Sequence, residues 1–310
     1  MMRSFKYSKV YSISFFLTVL LLSCGKKDQP SPDQMRIATL EEIVHSTISS
    51  IPSRTLKYTF EYDQQHRISR INDRQFKYSE QDKVSSSRIY RITTDQFGLT
   101  QEYIESLKYQ WDDQGRLAAI VADSIYHHHH TKSAGTVNTQ LKSLYQGSVI
   151  AKHEYNGVAK LPASITYLVD YELPLKAGVM ETMTFQYQEN DILRSRQLDL
   201  SIAPGSGFLV RPAFAVYSHY RYDTNPHHLY GAYLQLGFHP YNFGSIVSQH
   251  HPVSVYSEHQ LGDVAPTVNP DWNKAEKFVS EYNAQGYATS IKSIPGIGGA
   301  SWRTIKVTYR

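Results

Sequence analysis

Cysteine is almost absent. Cys24 stands alone among 310 residues, so no disulfide can form within the chain and stability has to come from a buried core. An excess of one charge is missing as well. Lys and Arg number 32 against 28 Asp and Glu, a formal +4, and Arg3, Lys6 and Lys9 all fall in the first 23 positions. Without those three the balance is 29 against 28, or +1, which excludes the basic footprint of a nucleic-acid-binding surface. No apolar run reaches the ~20 residues that a membrane-spanning helix needs. A Gly-x-Ser-x-Gly nucleophile elbow is lacking too, and no thiol other than Cys24 is available as a nucleophile. The run Gly296-Ile297-Gly298-Gly299 leads into strand-like Ser301-Trp302 rather than a helix, so it reads as a wide turn and not as a phosphate loop.

What the chain has in quantity is tyrosine, 24 residues against 3 Trp and 5 Met. Many tyrosines alternate with polar residues, the pattern of strands paired through aromatic side chains. The segment Leu107-Lys108-Tyr109-Gln110-Trp111-Asp112-Asp113-Gln114-Gly115-Arg116-Leu117-Ala118-Ala119-Ile120 sets the theme. Tyr109 and Trp111 share one face of a pleated strand and Gln110 points to the other. Asp112 suits the first position of a type I turn, and Gly115 can take the positive φ of a glycine bulge that closes it. Leu56 to Ile68 repeats this grammar with His66 in the glycine position, which requires a left-handed histidine. Phe278 to Tyr287 repeats it with Asn283 for the aspartate, and weaker copies centre on Tyr78, Tyr155, Tyr187 and Tyr222. The uneven spacing excludes a propeller or solenoid of fixed period. These hairpins describe an all-β, large antiparallel up-and-down meander, curled or barrel-like, in which the motif is scaffold.

At the N-terminus, the three basic residues precede the mostly apolar Ile13–Leu22, and Leu21-Leu22-Ser23-Cys24 follows. This arrangement is that of a secretory signal, and its last four residues resemble the lipobox of bacterial lipoproteins. The resemblance implies cleavage before Cys24 and lipid attachment to it, which tethers the chain to a membrane. Residues 1–23 are then a signal peptide, 24–38 a polar, proline-containing tether, and 39–310 one β-rich domain. The charged start of the tether resembles sorting segments of Gram-negative surface lipoproteins, so the domain is expected at the outer membrane, facing periplasm or surface. Leu40, Ile43, Val44, Ile48 and Ile51 fall at helical spacing behind a Thr39/Glu42 capping box, which predicts one short helix ending near Pro52. Long loops are expected over Ala122–Asn138, Ala203–Gly207 and His239–Asn273, and a final strand over Ser301–Tyr309.

The lipobox, the Tyr-Asp hairpins, the segment Tyr220–Gly231 and the ending Ile305-Lys306-Val307-Thr308-Tyr309 together resemble a family of bacterial lipoproteins of unknown function with a porin-like fold. The resemblance implies a curled or barrel-like meander and supplies no catalytic residues. Candidate strands such as Leu56–Tyr62 fall short of the 9 to 11 residues of a membrane barrel, and Lys57, Thr59 and Glu61 make the opposite face polar, which fits a sheet in water. The tract His127-His128-His129-His130 offers imidazoles, but on a strand they split between two faces and in a loop they lack a fixed geometry. No metal ligand, cofactor or catalytic residue is assigned, and Cys24 is the one site residue. His227, His228, His250 and His251 form two further pairs whose convergence sequence cannot establish. The expected role is noncatalytic binding of a glycan, peptide or protein, with Trp272 and Tyr230 as aromatic platforms. The alternatives are a hydrolase acting on polysaccharide or envelope through facing carboxylates, and a channel or scaffold component with an apolar outer belt.

Overall fold

Each strong copy of the repeat is a hairpin whose turn is held by its own aspartate or asparagine. Asp112 Oδ1 accepts from the Gln114 and Arg116 amides at 3.0 and 2.8 Å, and its Oδ2 accepts from Arg116 Nε at 2.7 Å. Gly115 donates its amide to the Asp112 carbonyl with φ +72°. Asp63 holds Arg67 in the same way, and His66 takes the required left-handed φ of 68°. In the third copy Asn283 keeps the two amide contacts, to Gln285 and Tyr287, and Gly286 sits at φ 83°.

The computed structural model describes residues 36–46, 52–94, 100–133, 136–143, 146–169, 179–200, 214–261, 266–267, 269–296 and 301–310. Residues 36–310 form one compact unit. Its first strands are β1 (Ile37–Ser46), β2 (Arg54–Tyr62), β3 (Ile68–Ile71), β4 (Arg74–Tyr78), β5 (Val84–Thr94) and β6 (Thr100–Trp111). Then come β7 (Leu117–Ser133), β8 (Thr136–Ser143), β9 (Val149–Glu154), β10 (Ser164–Val169), β11 (Val179–Gln188) and β12 (Asp191–Leu200). After β13 (Phe214–Pro226) the helix α1 (Tyr230–Leu236) intervenes before β14 (His250–Leu261), β15 (Glu276–Tyr282), β16 (Ala288–Ile294) and β17 (Ser301–Tyr309). Neighbours in sequence pair antiparallel, and β1 pairs with both β2 and β17, so the sheet closes on itself. β8 and β9 share one place in the ring: β8 pairs with Tyr126–Ser133 of β7, and β9 with Ala119–Val121. The result is a closed antiparallel barrel of sixteen strand positions.

The repeat has a second function that strand pairing alone does not explain. At the turn end of the barrel the repeat's aromatic faces the first residue of its own returning strand, as Tyr62 faces Ile68, Tyr78 faces Val84 and Trp111 faces Leu117, in each case beside a β-bulge. That first residue's carbonyl accepts from the aromatic of the next hairpin. Tyr62 Oη donates to Ile37 O (3.1 Å), Tyr78 Oη to Ile68 O (2.8 Å), Trp111 Nε1 to Val84 O (2.8 Å) and Tyr155 Oη to Leu117 O (2.9 Å). Related contacts run from Tyr187 to Pro162 O just before β10, from Tyr222 to Ile192 O near the start of β12, and from Tyr309 to Ala288 O at the start of β16. A cation covers the aromatic of three of these links: Arg67 lies over Tyr78, Lys83 over Trp111 and Arg116 over Tyr155, at 4.3 to 4.9 Å. The hairpins are thereby chained by hydrogen bonds and cation–π contacts at one rim.

Along each strand the alternation separates two environments. Tyr58, Phe60 and Tyr62 of β2, and Leu107, Tyr109 and Trp111 of β6, face the core inside the barrel. The opposite faces are wet: Lys57, Thr59 and Glu61 on β2, Lys77 on β4, Arg88 on β5, Lys108 and Gln110 on β6, and Lys152 and Glu154 on β9 are all exposed. Deeper inside the barrel, Glu105 is fully buried and is held by Arg74 and by Tyr103 Oη (2.9 Å).

Several expectations are corrected. Residues 37–46 form strand β1, not a helix; Thr39 donates its amide to Thr308 Oγ1 and Glu42 pairs with Arg303 instead of building a capping box. The β-branched Ile37, Thr39, Ile43 and Val44 suit a strand hydrogen-bonded on both edges; Ile48 and Ile51 lie outside the described residues. The short helix of the fold is α1, far along the chain. Most of the loop expected over 122–138 is β7 and the start of β8, and the one expected over 239–273 contains β14; residues 203–207 are outside the described ones. Strand length does not argue against membrane spanning, since β2 has 9 residues and β6 has 12. The outward polarity does. The final strand is Ser301–Tyr309, as the sequence indicates.

Candidate functional site

The connection from β13 to β14 does not stay outside as a loop. Residues 227–249 cross the turn end of the barrel and touch core-facing residues of strands far apart in the ring. Tyr241 stacks on Tyr58 of β2 at 4.2 Å and Phe238 on Tyr109 of β6 at 4.9 Å. Gln235 Oε1 accepts from the Ile68 amide (2.9 Å), and Ser248 Oγ from the Ile192 amide (3.1 Å). A Cβ at Gly244 would collide with Tyr167 of β10. Helix α1 buries Ala232, Tyr233 and Leu236 and ends on Gly237 at φ 79°, whose amide returns to the Tyr233 carbonyl at 2.7 Å. Leu229, Leu236 and Phe238 are fully buried, so this plug is part of the core.

The plug carries histidines at its base. The hairpin pairs Pro226 with His250, and the His227 amide donates to Gln249 O at 2.9 Å, so the two sequence pairs meet where the plug leaves and rejoins the sheet. His227 and His228 stack at 4.4 Å between centroids, and His251 lies 5.2 Å from His227 and 5.6 Å from His228. One ring nitrogen from each of the three lies within 4.8 Å of the others. His228 and His251 are 7% and 2% exposed. Neither nitrogen of His228, nor Nε2 of His251, has a hydrogen-bond partner among the described residues. Burial, then the neighbouring imidazoles, holds His227 and His228 well below the ordinary histidine range. Burial also lowers His251, against the Pro252 carbonyl and Asp223, and brings His239 to about 4. All four are therefore neutral at pH 7. His250 belongs elsewhere, with its Nδ1 2.7 Å from Asp191 Oδ2.

A second candidate lies on the outside. A groove of about 580 Å³ runs over the wet faces of β2 to β7, lined among others by Glu61, Arg70, Lys77, Arg88, Lys108 and Asp123. Lys108 pairs with Asp123 at 2.7 Å and Arg70 reaches Glu61 at 3.8 Å. Lys77 and Arg88 have no ion pair among the described residues. The surface continues past Tyr90, which is 50% exposed.

The residues singled out from sequence fare unequally. Cys24 and the tether before Arg36 lie outside the described residues. The backbone of His127–His130 is in β7, paired with β6 and β8, and these side chains are outside the described ones. Trp272 is no open platform, because the Arg221 guanidinium sits 3.9 Å above its ring, and Tyr230 is half-buried against the core. The convergence of His227, His228 and His251 was not assigned; two histidine pairs flanking a segment whose ends pair in a hairpin is the signal that could have found it.

No protein-family model matches the chain, and no curated protein matches it. Among solved structures, it is similar to a porin-like protein from Bacteroides uniformis ATCC 8492, at 12% identity and a TM-score of 0.37, over 88% of this chain and 98% of that one. Likeness at that level carries no argument about function. The barrel rests on the strand ladder described above.

Proposed function

We propose that this chain is a lipid-anchored protein of the bacterial outer membrane whose domain works in water as a noncatalytic binding module. The ligand would be an extended anionic polymer, an acidic glycan or peptide, laid along the groove over β2 to β7. The carrying observation is the groove's charge. It presents four cations, Arg70, Lys77, Arg88 and Lys108, against the carboxylates of Glu61 and Asp123, both of which already face a cation. Lys77 and Arg88, without an ion pair among the described residues, can meet a carboxylate, sulfate or phosphate, and Tyr90 beside them offers a ring to a sugar face. Anchoring rests on the lipobox-like Leu21-Leu22-Ser23-Cys24. The plug across one rim and the charged outer faces of β2 to β9 weigh against a conducting channel, which needs an open lumen and an apolar outer band.

Binding is tested with the full chain in detergent, comparing polygalacturonate with a neutral polysaccharide of similar length. The reading predicts retention of the polyanion, weakening as salt rises, and a drop of at least about tenfold, ~1.4 kcal/mol, in the double variant Lys77→Glu/Arg88→Glu. Equal retention of both polymers, or an unaffected double variant, contradicts it.

A further inference from the structure

The plug's histidines have a chemistry that neither the barrel nor the outer groove uses. A buried imidazole nitrogen without a partner costs about 1–3 kcal/mol, and three such atoms stand together here, both nitrogens of His228 and Nε2 of His251. Packing does not explain them, since a phenylalanine or leucine would fill the same space without the penalty. Their orientation is informative. His251 Nδ1 lies 3.1 Å from the Pro252 carbonyl; donation there puts the ring proton on Nδ1 and leaves a lone pair on Nε2. A backbone carbonyl holding the far nitrogen is the usual support of a metal-ligating histidine.

We propose that His227, His228 and His251 form a three-imidazole site for a divalent transition cation of the zinc class. The ligand nitrogens already lie within 4.8 Å of one another. A tetrahedral zinc with Zn–N bonds of about 2.0–2.1 Å places them roughly 3.4 Å apart, so the rings must close by no more than roughly 1.4 Å. An all-imidazole set selects zinc, copper or nickel over magnesium or calcium, which take oxygen ligands. The negative charge that a buried dication calls for is at hand in Asp223, which acts electrostatically on His251 and is held by the Tyr282 hydroxyl and the Asn225 amide. His227 is the half-buried member and the way in from solvent. Its Nδ1 accepts from the Leu229 amide at 3.1 Å, a contact that competes with metal binding at this ring and makes it the weakest of the three ligands.

The competing ligand is the tract His127–His130, and the experiment removes it. The full chain, purified in detergent without an oligohistidine tag and with all four tract residues changed to Gln, is titrated with Co²⁺ and then with Zn²⁺. The proposal predicts one Co²⁺ per chain with the visible absorption of a four-coordinate site, displaced by Zn²⁺. Binding should weaken at least about tenfold in His228→Gln and His251→Gln, and less in His227→Gln. Binding that disappears with the tract, or that survives in folded His251→Gln at full strength, overturns it. If the His variants fail to fold, ¹⁵N-histidine spectra of the tract-free chain decide. Added Zn²⁺ must move Nε2 of His251 together with one nitrogen of His228, and spectra unchanged by zinc overturn the site.

Discussion

At the scale of the residue, the tyrosine-rich repeat does more than pair strands. In Tyr62, Tyr78, Trp111 and Tyr155 the aromatic supplies an O–H or N–H to a carbonyl at the start of an earlier strand, so hairpin order is written into side-chain donors as well as into the ladder. Tyr78→Phe keeps the ring under Arg67 and deletes the donor to Ile68 O. The expected loss is about 1–3 kcal/mol in a urea melt, whereas the exposed Tyr90→Phe should change stability by less than about 0.5 kcal/mol. Burial also raises Tyr62 and Tyr155 to about 12, and Tyr78, Tyr187, Tyr222 and Tyr309 further. With folded values above the unfolded 10, the unfolded chain gives up these protons first. Their contribution is thus intact below pH 10 and is lost as pH rises from 10 through 12. The part of the tyrosinate absorbance that belongs to these six should therefore appear together with unfolding; ionisation of all tyrosines near pH 10 in a folded chain would contradict the rim contacts. The turn residues were legible in sequence because Asp112, Gly115 and the left-handed His66 are local requirements. The donor chain was not, because its acceptors depend on which hairpin lies alongside.

At the scale of the element, the plug and β1 show what periodicity cannot see. Leu40, Ile43 and Val44 satisfy a helical period over a short span, yet β1 is fixed by β17, whose Thr308 contacts Thr39 across 269 positions of sequence. Closing the barrel demands a strand there, and no local pattern reports that demand. From His239 onward the plug reads as loop, because its Gly, Pro, His and Asn residues break strand alternation, while Leu229, Leu236 and Phe238 before it carry no strand pattern and only make sense inside a closed barrel. Two glycines test the plug's fit. Gly147 (φ 76°) has open space where a Cβ would stand, and Gly237 (φ 79°) has the Trp111 ring. Gly147→Ala should cost about 1–2 kcal/mol for the left-handed backbone alone. Gly237→Ala should cost about 1–3 kcal/mol more, as overpacking does; equal losses in thermal melts would mean that the plug does not press on β6.

At the scale of the whole molecule, the reading proposed above rests on a closed barrel with an aromatic interior and on the charged outer faces of β2 to β9. Sequence alternation made the inside and outside of strands such as β2 and β6 legible, while closure, the plug and the convergence of three histidines required long-range pairing to appear. The electrostatics of the interior give an acid limit as well. Burial holds His153 at about 4, below its unfolded value near 6.5, so the unfolded chain takes up the proton first. Stability is full above pH 6.5 and is lost as pH falls toward 4, by about 2 kcal/mol at pH 5 for this one group. His153→Gln should flatten that slope in denaturant melts between pH 7 and 5.

The most direct test of a wet-faced barrel carried by its anchor, rather than a barrel in the bilayer, uses residues 36–310 without leader or tether. Expressed and purified without detergent, then subjected to detergent phase separation, this unit should stay in the aqueous phase with the circular dichroism of a β protein. Recovery in the detergent phase, or folding only when detergent is supplied, would contradict the account.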